Sequence, residues 1–63
     1  MRSFTIDVNG HRYQATWKAT GRDQIEVRSD YGSSYVTVGD REPSVAAREA
    51  LATIVAARLR QFA

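Results

Sequence analysis

Val8-Asn9-Gly10-His11 is the stretch that decides the fold, because Asn-Gly between two alternating segments predicts a two-residue type I′ turn. Both central residues of such a turn need a positive φ, which asparagine and glycine tolerate best. The turn also fixes the pairing of its flanking strands, so that Ile6 lies opposite Tyr13. The sequence therefore predicts an antiparallel hairpin with strands near residues 3–8 and 12–19.

This pairing separates apolar from polar side chains. One face collects Phe4, Ile6, Val8, Tyr13, Ala15 and Trp17. On the other face Asp7 meets Arg12 as a cross-strand ion pair. A sheet with one apolar face must bury that face against another layer.

Two further strands are predicted near residues 24–29 and 34–38, with Ile25 and Val27 on the apolar face. Thr20-Gly21-Arg22-Asp23 is predicted as the turn before the third strand.

Asp30-Tyr31-Gly32-Ser33 is predicted as a four-residue turn before the fourth strand. Pairing Ser29 with Ser34 then places Val27 opposite Val36. Because the fourth strand is short, a three-stranded sheet is the alternative.

A helix is predicted near residues 43–61, where the chain is rich in alanine and lacks glycine and proline after Pro43. Pro43 suits the first turn, and Ser44 offers a competing N-cap. The predicted apolar stripe is Leu51, Val55, Leu59 and Phe62, flanked by Val45 and Ile54. The predicted outward side is Ala46, Glu49, Thr53, Ala57 and Arg60. The predicted fold class is therefore α+β: one domain over residues 1–63, with a four-stranded antiparallel β-meander packed in two layers against one C-terminal helix.

The composition limits the chemistry. The chain has 63 residues, no cysteine and one histidine, which excludes disulfides, zinc fingers and thiol catalysis. No cofactor or metal is predicted. The N-terminal residues alternate instead of forming an apolar run, and the longest apolar stretch is far too short for a bilayer. We therefore expect a cytoplasmic protein without membrane contact.

The net charge of +2 is small, and eight of the nine basic residues are arginine, which is typical of a GC-rich, bacterial-type genome. Basic and acidic residues balance over residues 1–43, so the excess lies on the helix. There Arg58 and Arg60 have a structural interpretation, because cations near a helix C-terminus complement its dipole. They also have a functional one, as contacts to phosphate.

Nucleic acid is the leading ligand hypothesis. Sheets that bind single-stranded RNA stack bases on exposed aromatic residues beside basic ones. The predicted contacts are Arg12, Lys18, Arg28 and Tyr35 on the polar sheet face and Arg48, Arg58 and Arg60 on the helix. Arg48 falls inside the predicted apolar stripe, where it either extends its stem over Trp17 to reach water or meets a partner's anionic group.

No constellation for catalysis is present, so we predict that the protein is not an enzyme. His11 follows the Asn-Gly turn without a predicted nucleophile, and Asp40 and Glu42 suit a helix start. The segment Ser29–Ser34 is either a hairpin turn or a cradle for phosphate.

The alternative function is that of a protein-interaction or homo-oligomeric accessory protein. The predicted interface residues are Tyr31, Tyr35 and Thr37. The strand Tyr35-Val36-Thr37-Val38 has no charge or proline to block pairing with another chain, so a homodimer is expected.

The order of elements, with Val38-Gly39-Asp40 leading to Ala46-Ala47-Arg48-Glu49-Ala50, resembles three small modules in its second half. These are the C-terminal half of double-stranded-RNA-binding domains, the arm-type DNA-binding domains of phage integrases, and the HicB-type antitoxin fold. The resemblance implies a similar shape. It implies no functional residue, because Pro43-Ser44-Val45-Ala46 stands where the double-stranded-RNA module has a basic motif.

Overall fold

The computed structural model describes residues 1–61 and contains one sheet and one helix. The elements are β1 (Arg2–Val8), β2 (His11–Gly21), β3 (Gln24–Ser29), β4 (Gly32–Thr37) and α1 (Pro43–Arg60). All four strands are antiparallel, in the spatial order β1-β2-β3-β4. The predicted α+β class, with a four-stranded and not a three-stranded meander against a C-terminal helix, is confirmed.

The β1–β2 hairpin has the predicted register. Ile6 lies opposite Tyr13, and Asp7 lies opposite Arg12. Asn9 has a φ of 52° and Gly10 a φ of 82°, both in the left-handed region that a type I′ turn needs. The apolar face of the hairpin therefore points to the helix.

The β2–β3 turn is tighter than predicted. β2 continues to Gly21, and Thr20 is an extra residue between the Ala19–Ile25 and Gly21–Gln24 pairs. This β-bulge shifts the register by one residue, so that Gly21 pairs with Gln24 and only Arg22 and Asp23 form the turn.

The predicted register of β3 and β4 is wrong by two residues. Ser29 lies opposite Gly32, and Val27 lies opposite Ser34, because the turn has two residues and not four. Gly32 takes a φ of 143°, which closes the shorter turn. Because side chains alternate with a period of two, the two-residue shift leaves every side chain on its predicted face.

Helix α1 begins at Pro43, as predicted, but its N-cap is Glu42 and not Ser44. Glu42 is extended and makes no side-chain cap. The loop before the helix is fixed instead by Asp23, whose Oδ1 accepts a hydrogen bond of 3.0 Å from the Gly39 N–H.

The helix is rotated relative to the predicted stripe. Leu51 and Val55 are buried as predicted, but so is Ala46, which was assigned to the outward side. Leu59, a predicted core residue, is 47% exposed. Phe62 lies outside the described residues. The core consists of Tyr13, Ala15, Ile25, Val27, Val38, Ala46, Ala47, Leu51 and Val55.

The rotation has a packing cause. Ala46 and Ala47 belong to the same core cluster as Ile25 and Val38, and their small side chains let the helix approach the sheet closely. The rotation also corrects the predicted position of Arg48, which is exposed and does not lie in the buried stripe.

Candidate functional site

The outer face of the sheet, which faces away from α1, holds the four predicted sheet contacts Arg12, Lys18, Arg28 and Tyr35. The register places Lys18 and Tyr35 on either side of Glu26, and Arg28 lies on the same strand as Glu26. Tyr35 is 62% exposed. Thr37, a predicted interface residue, follows Tyr35 on this face and is also exposed.

Glu26 is the feature of this face that sequence reasoning missed. It is only 6% exposed although it faces away from the helix, because its neighbours on three strands cover it. Its carboxylate lies 3.1 Å from Arg28 Nε and 3.8 Å from Lys18 Nζ. The centre of the outer face is therefore an ion-pair network and not a positive patch.

Arg12 is paired in a different way. Its Nε donates to Asp7 Oδ1 at 3.3 Å, and both side chains are largely exposed. Solvent-exposed pairs of this kind contribute about 0–1 kcal/mol, so the guanidinium exchanges partners easily.

The helix arginines lie in the other layer. Arg48 and Arg60 are exposed on α1, and the sheet separates them from Lys18 and Tyr35. The seven predicted contacts therefore do not form one surface. Arg58 is different, because it lies where α1 returns to the end of the sheet.

The turn end of the molecule is the end that contains the β1–β2 and β3–β4 turns. Because the chain reverses at each turn of the meander, the first and third turns lie at the same end of the sheet. Helix α1 starts at the opposite end and runs back to this one. An apolar cleft of about 450 Å³ lies there between the turns and the helix. It is lined by His11, Arg12, Tyr13, Asp30, Tyr31, Val55, Arg58 and Leu59.

A polar cleft of about 480 Å³ adjoins the first one. It is lined by Arg28, Ser29, Asp30, Tyr31, Gly32, Ser33 and Arg58. Tyr31 and Arg58 line both clefts, with Asp30 as the acidic residue common to both. Arginines from β2, β3 and α1 thus line the two clefts beside one turn, and Arg58 is also engaged within the protein.

Tyr31 is held in place from both sides. Its ring meets Tyr13 edge to face, with ring centroids 5.1 Å apart. Its backbone N–H donates to Ser29 Oγ at 3.1 Å, and that hydroxyl donates to the Gly32 carbonyl at 2.9 Å. Since the turn uses its own N–H in this way, Tyr31 offers its ring and not a phosphate cradle.

Gly32 positions the turn against the helix. A Cβ at this residue would lie 3.3 Å from Ile54 Cγ2, which is tighter than ordinary contact. Glycine therefore serves both the positive φ and the close approach of the turn to α1.

The order of the predicted elements could have indicated this site, although no local residue pattern did. In a meander the first and third turns lie at the same end of the sheet, and a helix that follows the fourth strand must run back towards that end. His11 and Tyr13 were assigned to a surface turn and to the core, and both line the apolar cleft.

Within residues 1–61 no three His, Cys, Asp or Glu side chains lie close enough together to hold a metal ion. Over the same range no helix is long and apolar enough to span a membrane. Comparison with protein-family models, curated proteins and solved structures finds no match to this chain.

Proposed function

We propose that this protein is a non-enzymatic binding module of the cytoplasm whose ligand is single-stranded nucleic acid, bound at the turn end. One observation carries the proposal: Arg12, Arg28 and Arg58, from three different elements, line two adjoining clefts around the ring of Tyr31. A single strand presents an unstacked base next to a phosphate. The apolar cleft would take the base and the adjoining polar cleft the phosphate.

The apolar cleft suits a base. The apolar part of its lining consists of Tyr13, Tyr31, Val55 and Leu59, and the polar part of His11, Arg12, Asp30 and Arg58. Tyr31 is 37% exposed, which leaves part of its ring available for stacking. A stacked base contributes about 1–3 kcal/mol and does so for any base, because each has a π face.

The polar cleft suits a phosphate. Arg28, Arg58 and Ser33 line it, together with Ser29, whose hydroxyl already donates to the Gly32 carbonyl. The Arg28 side chain is 63% exposed, so its guanidinium can reach a phosphate oxygen beside its Glu26 partner. A duplex keeps its bases stacked inside, so it can use only this second cleft.

The first test compares two tyrosines with labelled single-stranded and double-stranded oligonucleotides of about 12 nucleotides in about 50 mM salt. Tyr31→Ala is expected to weaken single-strand binding about tenfold, the loss of one stacked base. Tyr35→Ala, the matched control on the outer sheet face, is expected to leave the affinity within about twofold. Fluorescence anisotropy measures both, with melting curves to confirm folding.

The salt dependence identifies the phosphate contacts. With one to two phosphates neutralised, the slope of log K against log salt is expected near −1, since each phosphate of a single strand contributes about −0.7. Equal loss from Tyr31→Ala and Tyr35→Ala would move the site to the outer face. Absence of binding by the wild type in about 50 mM salt would end the nucleic-acid proposal.

Glu26→Gln gives a test in the opposite direction. The amide keeps the shape of the buried side chain but removes the charge that holds Arg28 and Lys18. We expect the affinity for single strands to rise about threefold to tenfold, because Arg28 is then available to phosphate. Unchanged affinity in a folded variant would mean that Arg28 makes no phosphate contact.

Self-association is the second candidate function, and the edge of β4 favours it. β4 is a six-residue edge strand, Gly32–Thr37, and it contains no charged residue and no proline. Natural edge strands usually contain such residues to prevent pairing with other chains.

A further inference from the structure

The hydrogen-bonding groups of β4 point in two directions. The Val38 N–H donates to the Asp23 carbonyl at 2.8 Å, and a two-residue turn joins Ser29 to Gly32. Even-numbered residues of this segment therefore direct their backbone groups to β3, because backbone directions alternate along a strand. Those of Ser33, Tyr35 and Thr37 point away from the sheet.

Arg41 covers one end of this edge. Its Nη2 donates to the Thr37 carbonyl, and its Nε donates to the Val38 carbonyl at 3.1 Å. Its Nη1 pairs with Glu49 on α1. The loop after β4 thus covers the carbonyl of Thr37, while Ser33 and Tyr35 lie beyond its reach.

A second copy of this chain is the partner that this edge fits. In a two-fold antiparallel pair the side chains next to the axis lie near their own counterparts, so a charge there would lie near a like charge. Residues 32–37 contain none.

The position of Arg41 selects the register of such a pair. If the Thr37 carbonyl keeps its hydrogen bond from Arg41, the outward backbone groups that remain for pairing are those of Ser33 and Tyr35. Antiparallel pairing then sets Ser33 of each copy opposite Tyr35 of the other, with Ser34 at the two-fold axis. The large exposed ring of Tyr35 lies beside a small residue, so the outer faces join without a clash.

We propose that two copies pair through β4 in this register and form one continuous eight-stranded antiparallel sheet. The inference rests on the self-association proposed above and names its surface. Arg41 limits the interface to the turn-side half of β4, and the two helices lie on the same side of the joined sheet.

Sedimentation equilibrium over about a hundredfold concentration range tests the proposal with Ser33→Pro and its control Ser33→Ala. Proline removes the outward N–H of an edge residue, which the β3–β4 pairing does not use. We expect a mass twice the 7.0 kDa of the monomer for the wild type and for Ser33→Ala. Ser33→Pro is expected to be monomeric at every concentration at which the wild type is dimeric.

A second variant removes any dependence on the folding of Ser33→Pro. Tyr35→Lys places a cation opposite Glu26 within the chain, a favourable pair, but brings two cations together near the two-fold axis. The dimer is expected to weaken at least tenfold and to recover partly in high salt.

The outcomes separate the two proposals. A wild-type monomer at all concentrations overturns self-association and the edge pairing together. A dimer that persists in Ser33→Pro and Tyr35→Lys overturns the pairing through β4 and leaves self-association through another surface.

Discussion

Leu51→Ala is expected to lower the free energy of unfolding by about 2–5 kcal/mol, whereas Leu59→Ala should lower it by less than about 1 kcal/mol. The two leucines lie on the same helix and undergo the same substitution. Leu51 is 0% exposed and lies at the centre of the core, and Leu59 is 47% exposed at the edge of the apolar cleft. Truncation of Leu51 leaves a cavity in the core, whereas solvent fills the space that truncation of Leu59 leaves.

The loss at Leu51 is large for a chain of this size. A domain of 63 residues is expected to have a stability of about 3–9 kcal/mol, so the substitution should remove a large part of it. Urea denaturation followed by circular dichroism measures both variants, at one protein concentration because any dimer adds stability by mass action. Equal losses at Leu51 and Leu59 would restore the stripe predicted from the sequence and contradict the rotation of α1.

Gly10→Val is expected to destabilise the protein by about 1–2 kcal/mol, with a fall in Tm of about 4–8 °C for each kcal/mol. Gly10 has a φ of 82°, and a Cβ built there has nothing within 4 Å. The cost is therefore one of backbone conformation and not of a clash. A β-branched residue resists positive φ more than alanine does, so Gly10→Ala should lose less than Gly10→Val.

Gly21→Ala is the control for this effect. Gly21 has an ordinary φ, and its added Cβ would meet Gln24 Cβ at 3.8 Å, an ordinary contact. We expect its Tm to stay close to that of the wild type. An unchanged Tm for Gly10→Val would show that the Asn9-Gly10 turn does not need its left-handed conformation.

The binding variants at the turn end and the stability variants in the core report on different properties. Tyr31 and Arg28 line the clefts and are at least partly exposed, so their substitution is expected to change affinity more than stability. Tyr31 also contacts the buried Tyr13, and a modest loss of stability in Tyr31→Ala is expected for that reason. Measuring affinity well below the Tm of each variant separates the two effects.

Local chemistry determined the first hairpin, and the sequence was enough to predict it. Asn9 and Gly10 specify a turn whose backbone conformation few other pairs adopt, and that turn fixes every pair from Arg2–Trp17 to Val8–His11. The faces of β3 and β4 were equally predictable, since alternation with a period of two survives a register shift of two residues. The length of the β3–β4 turn was not predictable, because it depends on the Ser29 hydroxyl and on the space that Ile54 leaves beside Gly32, which has no room for a larger residue.

Tertiary structure alone decided which helix residues are buried and which side chains share a site. Ala46 is buried and Leu59 exposed because the close approach of the two layers, and not the hydrophobicity of each residue, selects the inward face. Glu26 is covered because three strands bring its neighbours together, and Tyr31 and Arg58 meet because α1 returns to the end where the turns lie. The sequence specified conformations that depend on neighbouring residues, whereas these contacts join residues far apart in the chain, whose distances only the packing of sheet and helix fixes.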